Sequence, residues 1–136
     1  MGKALGIDYG TKRTGIAITD AMQVIASGLT TILTNNIDSF IADIVLKEDI
    51  ECFVVGNPKN LDGTDTDSTF YVNSFVRRLK RLYPTIFVYQ IDERFTTKIA
   101  KQTMLASGLK KKKRQNKALV DEISATIILQ DYLDYR

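Results

Sequence analysis

"ALGIDYGTKRTGIAITD", residues 4–20, puts an acid at the place where a buried strand ends. Ala4, Leu5, Gly6 and Ile7 are small or apolar, and Asp8 follows them without a break. A polar link, "GTKRT", then leads into a second apolar run that includes Ile16 to Ile18. Two short runs joined this tightly read as a β-hairpin over 3–9 and 14–20. A lone carboxylate at the rim of a core is costly unless it is paired, hydrogen-bonded or bound to a cation. Asp8 therefore ties the fold to a chemistry.

The rest of the chain extends this start. Residues 23–33, rich in Val, Ile and Thr, predict a third strand with a bulge at Gly28. The period then changes: Ile37, Phe40, Ile41, Ile44 and Val45 share one helix face. "ECFVVG", 51–56, predicts a buried strand with Gly56 at the turn that ends it. "NPKNLDGTDTDS", 57–68, has loop composition throughout. Val72, Phe75, Val76, Leu79 and Leu82 line a second helix, with Pro84 beyond it, and "TIFVYQID", 85–92, predicts the last strand. A short helix over 98–107 stops at Gly108, a basic loop covers 110–117, and a final helix runs from 118 to 133. Three antiparallel strands followed by right-handed βαβ crossovers predict an α/β fold, a mixed five-stranded sheet with helices on both faces. The pattern shows no internal boundary, so one domain is expected over 1–136.

Composition narrows the function. With 136 residues and 44% hydrophobic content, the chain is expected to bury a core as a globular protein. No apolar run is long enough for a membrane span, and the first residues lack the apolar segment of a signal peptide, so a cytoplasmic protein is expected. Cys52 is the only cysteine, which excludes an intrachain disulfide and a thiolate cluster and leaves it a core role. There is no histidine. Ser-His and Cys-His catalysis and imidazole metal ligands are thereby excluded, and hydrolysis would rest on carboxylates with a hard cation. The net charge of +3 is modest but concentrated, with six cations in 110–117 and four in 77–81.

Two further acids suit Asp8. Glu93, in "YQIDERFTT", comes just after the last predicted strand. Asp121, in "KALVDEISATIILQDYL", opens the last helix and shares its inward stripe with Ala125, Ile128 and Tyr132. If the crossover strands run parallel to the first, Asp8 and Glu93 share a sheet edge with one strand between them, roughly 10 Å apart. Three carboxylates with no cation local to them describe an oxygen-ligand site for Mg²⁺ or Mn²⁺, able to promote phosphodiester hydrolysis. Singly, each acid has a plainer reading. Asp8 caps a turn with Gly10 and Thr11. "DER" is a surface salt bridge of little value. Asp121 is a first-turn acid favoured by the helix dipole.

Four blocks, "GIDYGTKRTGIAITD", "VVGNPKNLDG", "DERFTT" and "VDEISATIILQDYL", resemble those of the YqgF family, also called RuvX and described both as Holliday junction resolvases and as pre-16S rRNA nucleases. The match runs in order over nearly the whole chain. The resemblance implies an RNase H-like fold, a metal-dependent nuclease and a role at the 5′ end of precursor 16S rRNA. It assigns catalysis to Asp8, Glu93 and Asp121. Asn57 stands where the family often has Leu, Glu122 where a small residue is common, and Ser124 where related resolvases carry a fourth acid.

Nucleic acid, RNA or branched DNA, is the partner this implies, with a monomer favoured over a dimer and no membrane involved. Lys12 and Arg13 lie closest in sequence to Asp8 and are candidates for the scissile phosphate. Arg94 and the run Lys110, Lys111, Lys112, Lys113 and Arg114 are candidates for flanking phosphates, against the alternative of a solvated loop. Two other functions compete. An ATP-binding protein of the actin and sugar-kinase type opens with a similar hairpin but needs two such domains. A non-catalytic nucleic-acid-binding factor has no use for clustered acids.

Overall fold

Strand β1 (Lys3–Tyr9) alternates between two cores: Leu5 and Ile7 are buried on one face, Ala4 on the other. That period of two, apolar on both sides, marks a strand covered by helices above and below. The structure, a computed structural model, describes residues 2–58, 62–92 and 116–135. β2 (Arg13–Thr19) returns antiparallel to β1, with Asp8 opposite Gly15, and β3 (Ala26–Leu33) continues antiparallel to β2. Helix α1 (Ile37–Lys47) then crosses to β4 (Ile50–Asn57), and α2 (Asp67–Leu82) to β5 (Phe87–Asp92). β4 pairs parallel with β1 and β5 parallel with β4, giving the order β3-β2-β1-β4-β5. Helix α3 (Lys117–Tyr135) completes the described chain. The mixed five-stranded sheet with helices on both faces is as expected.

The two faces are built differently. Against α1 and α2 the sheet offers large residues: Leu5, Ile7, Ile16, Phe53 and Val55 meet Ile37, Ile41, Ile44, Val72, Phe75 and Leu79. Tyr9 extends this core by stacking on Phe75, ring centroids 4.4 Å apart. Against α3 it offers small ones, with Ala4, Ala17, Cys52 and Val54 under Ala125, Ile128 and Leu129. Small side chains let α3 lie close to the strands, and that closeness shapes the site.

Several boundaries differ from expectation for local reasons. β3 begins at Ala26, not at 23, because the Asp20 carboxylate accepts the N–H groups of Val24 and Ile25, both at 2.9 Å, and holds a turn. Gln23 adopts a left-handed φ of 53° in that turn, and its buried amide donates to the Gly2 carbonyl at 2.8 Å. The bulge lies beside Gly28: Ile16 faces Thr30 and Ala17 faces Gly28, leaving Leu29 as the extra residue. Gly56 forms no turn; it lies inside β4, opposite Ile91. α2 starts within the loop-like stretch because the Thr66 N–H donates to Thr69 Oγ at 2.9 Å, closing the first turn. Lys117, expected in the basic loop, is the first residue of α3. The helix expected over 98–107 and the rest of the basic loop, 110–115, lie outside the described residues. Among the described residues, no helix is long and apolar enough to cross a membrane.

Candidate active site

The alternation along β1 places Asp8 on the α3 face, in step with Ala4. Its cross-strand partner Gly15 lies on the same face, under α3. A Cβ added to Gly15 would stand 2.0 Å from the Asp121 carbonyl oxygen, so the helix backbone occupies the space a side chain would need. Gly15 is thus the contact point between β2 and α3, and it brings Asp121 over the pair that contains Asp8. Asn116 fixes the start of the helix: its Oδ1 accepts the N–H groups of Ala118 and Leu119 at 3.0 and 3.3 Å. Thr31 Oγ on β3 donates to the Ala118 carbonyl and ties the same turn to the sheet. Asp121 therefore sits one turn inside α3, not at its opening.

Arg13 meets Asp121 directly. Its Nε donates to Asp121 Oδ2 at 3.0 Å, with both side chains partly buried, 35% and 25% exposed. The expectation of acids with no cation nearby is corrected here. Alternation along β2 puts Arg13 on the face of Gly15, and the fold supplies a guanidinium to an acid 108 positions away. Burial pushes the Asp121 carboxyl above its ordinary value, while the Arg13 hydrogen bond and charge pull it down. The upward direction means that one half-buried guanidinium does not fully compensate the desolvated carboxylate.

The other candidates are distributed as follows. Lys12 is exposed in the β1–β2 turn, and its carbonyl accepts the Thr34 N–H at 2.9 Å. Glu122 lies over β3, its carboxylate end against the bare Cα of Gly28. Ser124 is buried, 1% exposed. Asn57 shares the alternation of Phe53 and Val55 and so faces the α2 layer, away from Asp8; its Oδ1 is buried and without a partner among the described residues. Glu93 directly follows Asp92, the last residue of β5. Glu93, Arg94 and Lys110, Lys111, Lys112, Lys113 and Arg114 lie outside the described residues. The Arg13–Asp121 pair and the bare contact at Gly15 had no sequence signal of their own.

The profile of the RuvX family, described as Holliday junction resolvase, matches residues 2–135. The chain belongs to the RuvX family. Among similar RuvX relatives, proteins of Flavobacterium johnsoniae and Flavobacterium psychrophilum are 55% and 56% identical over 133 residues. One of Bacteroides thetaiotaomicron is 52% identical over 134. Each alignment covers 98% of this chain and 96–97% of the relative, and each relative is named "Putative pre-16S rRNA nuclease". Among solved structures, T. thermophilus RuvC in complex with Holliday junction substrate matches with a TM-score of 0.59 at 16% identity, over 98% of this chain and 96% of that one. A second Thermus thermophilus RuvC structure matches at 0.54 and 12% identity, over 97% and 96%. These likenesses show the RNase H-like fold of RuvC.

The donor set of this RuvX chain fits a hard divalent cation. Asp8 and Asp121 are oxygen donors on one face, the type that Mg²⁺ and Mn²⁺ take. Burial raises the Asp121 carboxyl despite Arg13, and a bound cation would favour its ionised form. Among the described residues there is no cluster of three acidic, His or Cys side chains, and the third candidate, Glu93, is not among them.

Proposed function

We propose that this protein is a metal-dependent nuclease that processes the 5′ end of precursor 16S rRNA. The observation that carries the reading is the approach of α3 to Gly15, which sets Asp121 over the strand pair that holds Asp8. Acids brought to one sheet face repel one another unless cations join them, and Arg13 joins Asp121. The names of the relatives support the choice of substrate.

In this reading Asp8, Glu93 and Asp121 hold Mg²⁺ or Mn²⁺, which when bound supplies Lewis-acid polarisation of the phosphodiester. Asp8 and Asp121 are placed by β1 and α3, elements locked together by backbone contact, so the acids need little reorganisation on binding. Lys12, at the exposed turn beside them, binds the phosphate to be cut. Arg94 and the run from Lys110 to Arg114 hold neighbouring phosphates and lead a flexible strand toward the site. One domain over 1–136, acting as a monomer in the cytoplasm, is sufficient for a single cut in a single strand.

The test compares a precursor-like RNA 5′ segment with a mobile four-way DNA junction, with Mn²⁺ and with chelator, for the unaltered protein and Asp8→Asn. The reading expects RNA cleavage that needs the cation and is lost in Asp8→Asn, with stability changed by no more than about 1 kcal/mol. A stable dimer that nicks the junction symmetrically and spares the RNA would make the protein a resolvase instead. Full activity in Asp8→Asn would end the metal-nuclease reading.

A further inference from the structure

The guanidinium of Arg13 holds one oxygen, Oδ2, of Asp121, the carboxylate that the proposed function assigns to a divalent cation. We infer that Arg13 is a displaceable counter-charge: it holds Asp121 when the metal is absent, and the arriving cation drives it off Asp121 and onto a phosphate of the substrate. Arg13 is a positioning residue in the first state and a substrate contact in the second. The inference rests on the metal-nuclease reading above and adds to it an order of events.

Three observations carry it. First, the pair is specific: Nε approaches Oδ2 at 3.0 Å from the first residue of β2, next to the hairpin turn. Second, the pair is partly buried, so the repulsion between a guanidinium and a dication on one carboxylate is only weakly screened. The two cations therefore weaken each other's hold on Asp121. Third, Arg13 is 35% exposed, and its long stem can carry the head outward by bond rotation without moving the strand. Once off Asp121, the planar fork matches phosphate oxygens as well as it matched the carboxylate. Metal binding and phosphate binding are then coupled, and by linkage each strengthens the other.

Competition for one carboxylate predicts effects of opposite sign on two affinities. Mn²⁺ binding to the full chain is measured by titration calorimetry for the unaltered protein, Arg13→Gln, Arg13→Lys and Asp121→Asn. Binding of a labelled single-stranded RNA with the precursor 5′ sequence is measured by anisotropy, once in chelator and once with Ca²⁺ as the probe cation. Arg13→Gln should bind Mn²⁺ about tenfold more tightly, because the competitor is gone. The same variant should bind RNA about tenfold more weakly in Ca²⁺, yet equal the unaltered protein in chelator, where Arg13 is held by Asp121. Arg13→Lys, which keeps the charge, should retain the Mn²⁺ affinity of the unaltered protein; a gain as large as that of Arg13→Gln would trace the effect to packing and overturn the inference. Mn²⁺ binding that is lost in Asp121→Asn but unchanged or weaker in Arg13→Gln would overturn it while leaving the metal site standing. So would an equal loss of RNA affinity in both media. Absence of Mn²⁺ binding by the unaltered protein would remove the proposed function and this inference together.

Discussion

The carbonyl oxygen of Asp121 rests on the bare Cα of Gly15, 2.0 Å from where a Cβ would be. The obstacle is helix backbone, which cannot rotate aside. Gly15→Ala should force α3 off β2 at a cost of about 1–3 kcal/mol or more, and should carry Asp121 away from Asp8. Gly28→Ala is the control. There the nearest atom, at 2.5 Å, is Oε1 of the flexible Glu122 side chain. Its cost should stay within about 1 kcal/mol. Urea unfolding of the two variants tests the contrast, and equal midpoints would contradict the close approach at Gly15.

Asp121 predicts a pH-dependent gain in stability on neutralisation. Burial raises its carboxyl above the ordinary 3.8 despite Arg13. The ionised group is therefore less favourable folded than unfolded, and the folded protein takes up its proton first as pH falls. In chelator at pH 7, Asp121→Asn should need more urea to unfold. The difference should shrink as pH drops through the raised folded value and vanish below 3.8. A lower midpoint for the variant at pH 7 would mean that the Arg13 bond outweighs burial.

Asp20 behaves in the opposite sense. The Ile25 and Val24 N–H groups hold its carboxyl below 3.8. Its stabilising effect is thus full above 3.8 and is lost as pH falls through the lowered folded value. Asp20→Ala should be less stable than the unaltered protein at pH 7, and the two unfolding curves should converge in strong acid. A gap that persists there would assign the loss to something other than the charged turn.

The basic run predicts a salt effect. Replacing Lys110, Lys111, Lys112 and Lys113 with Gln should flatten the dependence of RNA affinity on salt, by about 0.7 in log–log slope for each phosphate contact removed. Cleavage at saturating RNA should change less, because the role proposed for these cations is to bind substrate, not to enter the chemistry. Anisotropy titrations over a range of KCl concentrations read the slope directly; an unchanged slope would make the run a solvated loop.

What could be read from the chain depended on how local the cause was. Ile37, Ile41 and Ile44 announce α1 because one helix turn separates them, and all three are buried where the period puts them. Asp8 stands out because an acid after four small or apolar residues has no place in an ordinary core. The misreadings concern contacts made by the fold. Gly56 looks like a turn from its neighbours, but Ile91 on β5 makes it part of a ladder. The start of α2 hides in loop composition because its cap uses Thr69 in place of the usual Glu or Gln. The partner of Asp121 is invisible in sequence: only the strand register and the close seat of α3 bring Arg13 to it.

The position of α3 also bears on when the protein becomes dangerous to RNA. Asp8 belongs to the first strand to be synthesised, and Asp121 to a helix made after every strand of the sheet. The face that receives α3 carries Ala4, Ala17, Cys52 and Val54. A nascent chain still attached to a ribosome, or a fragment released by premature termination, therefore has Asp8 before it has Asp121. If Asp121 has the catalytic part proposed for it, cutting competence arrives with the last helix, and a copy that stops short of it does not cut.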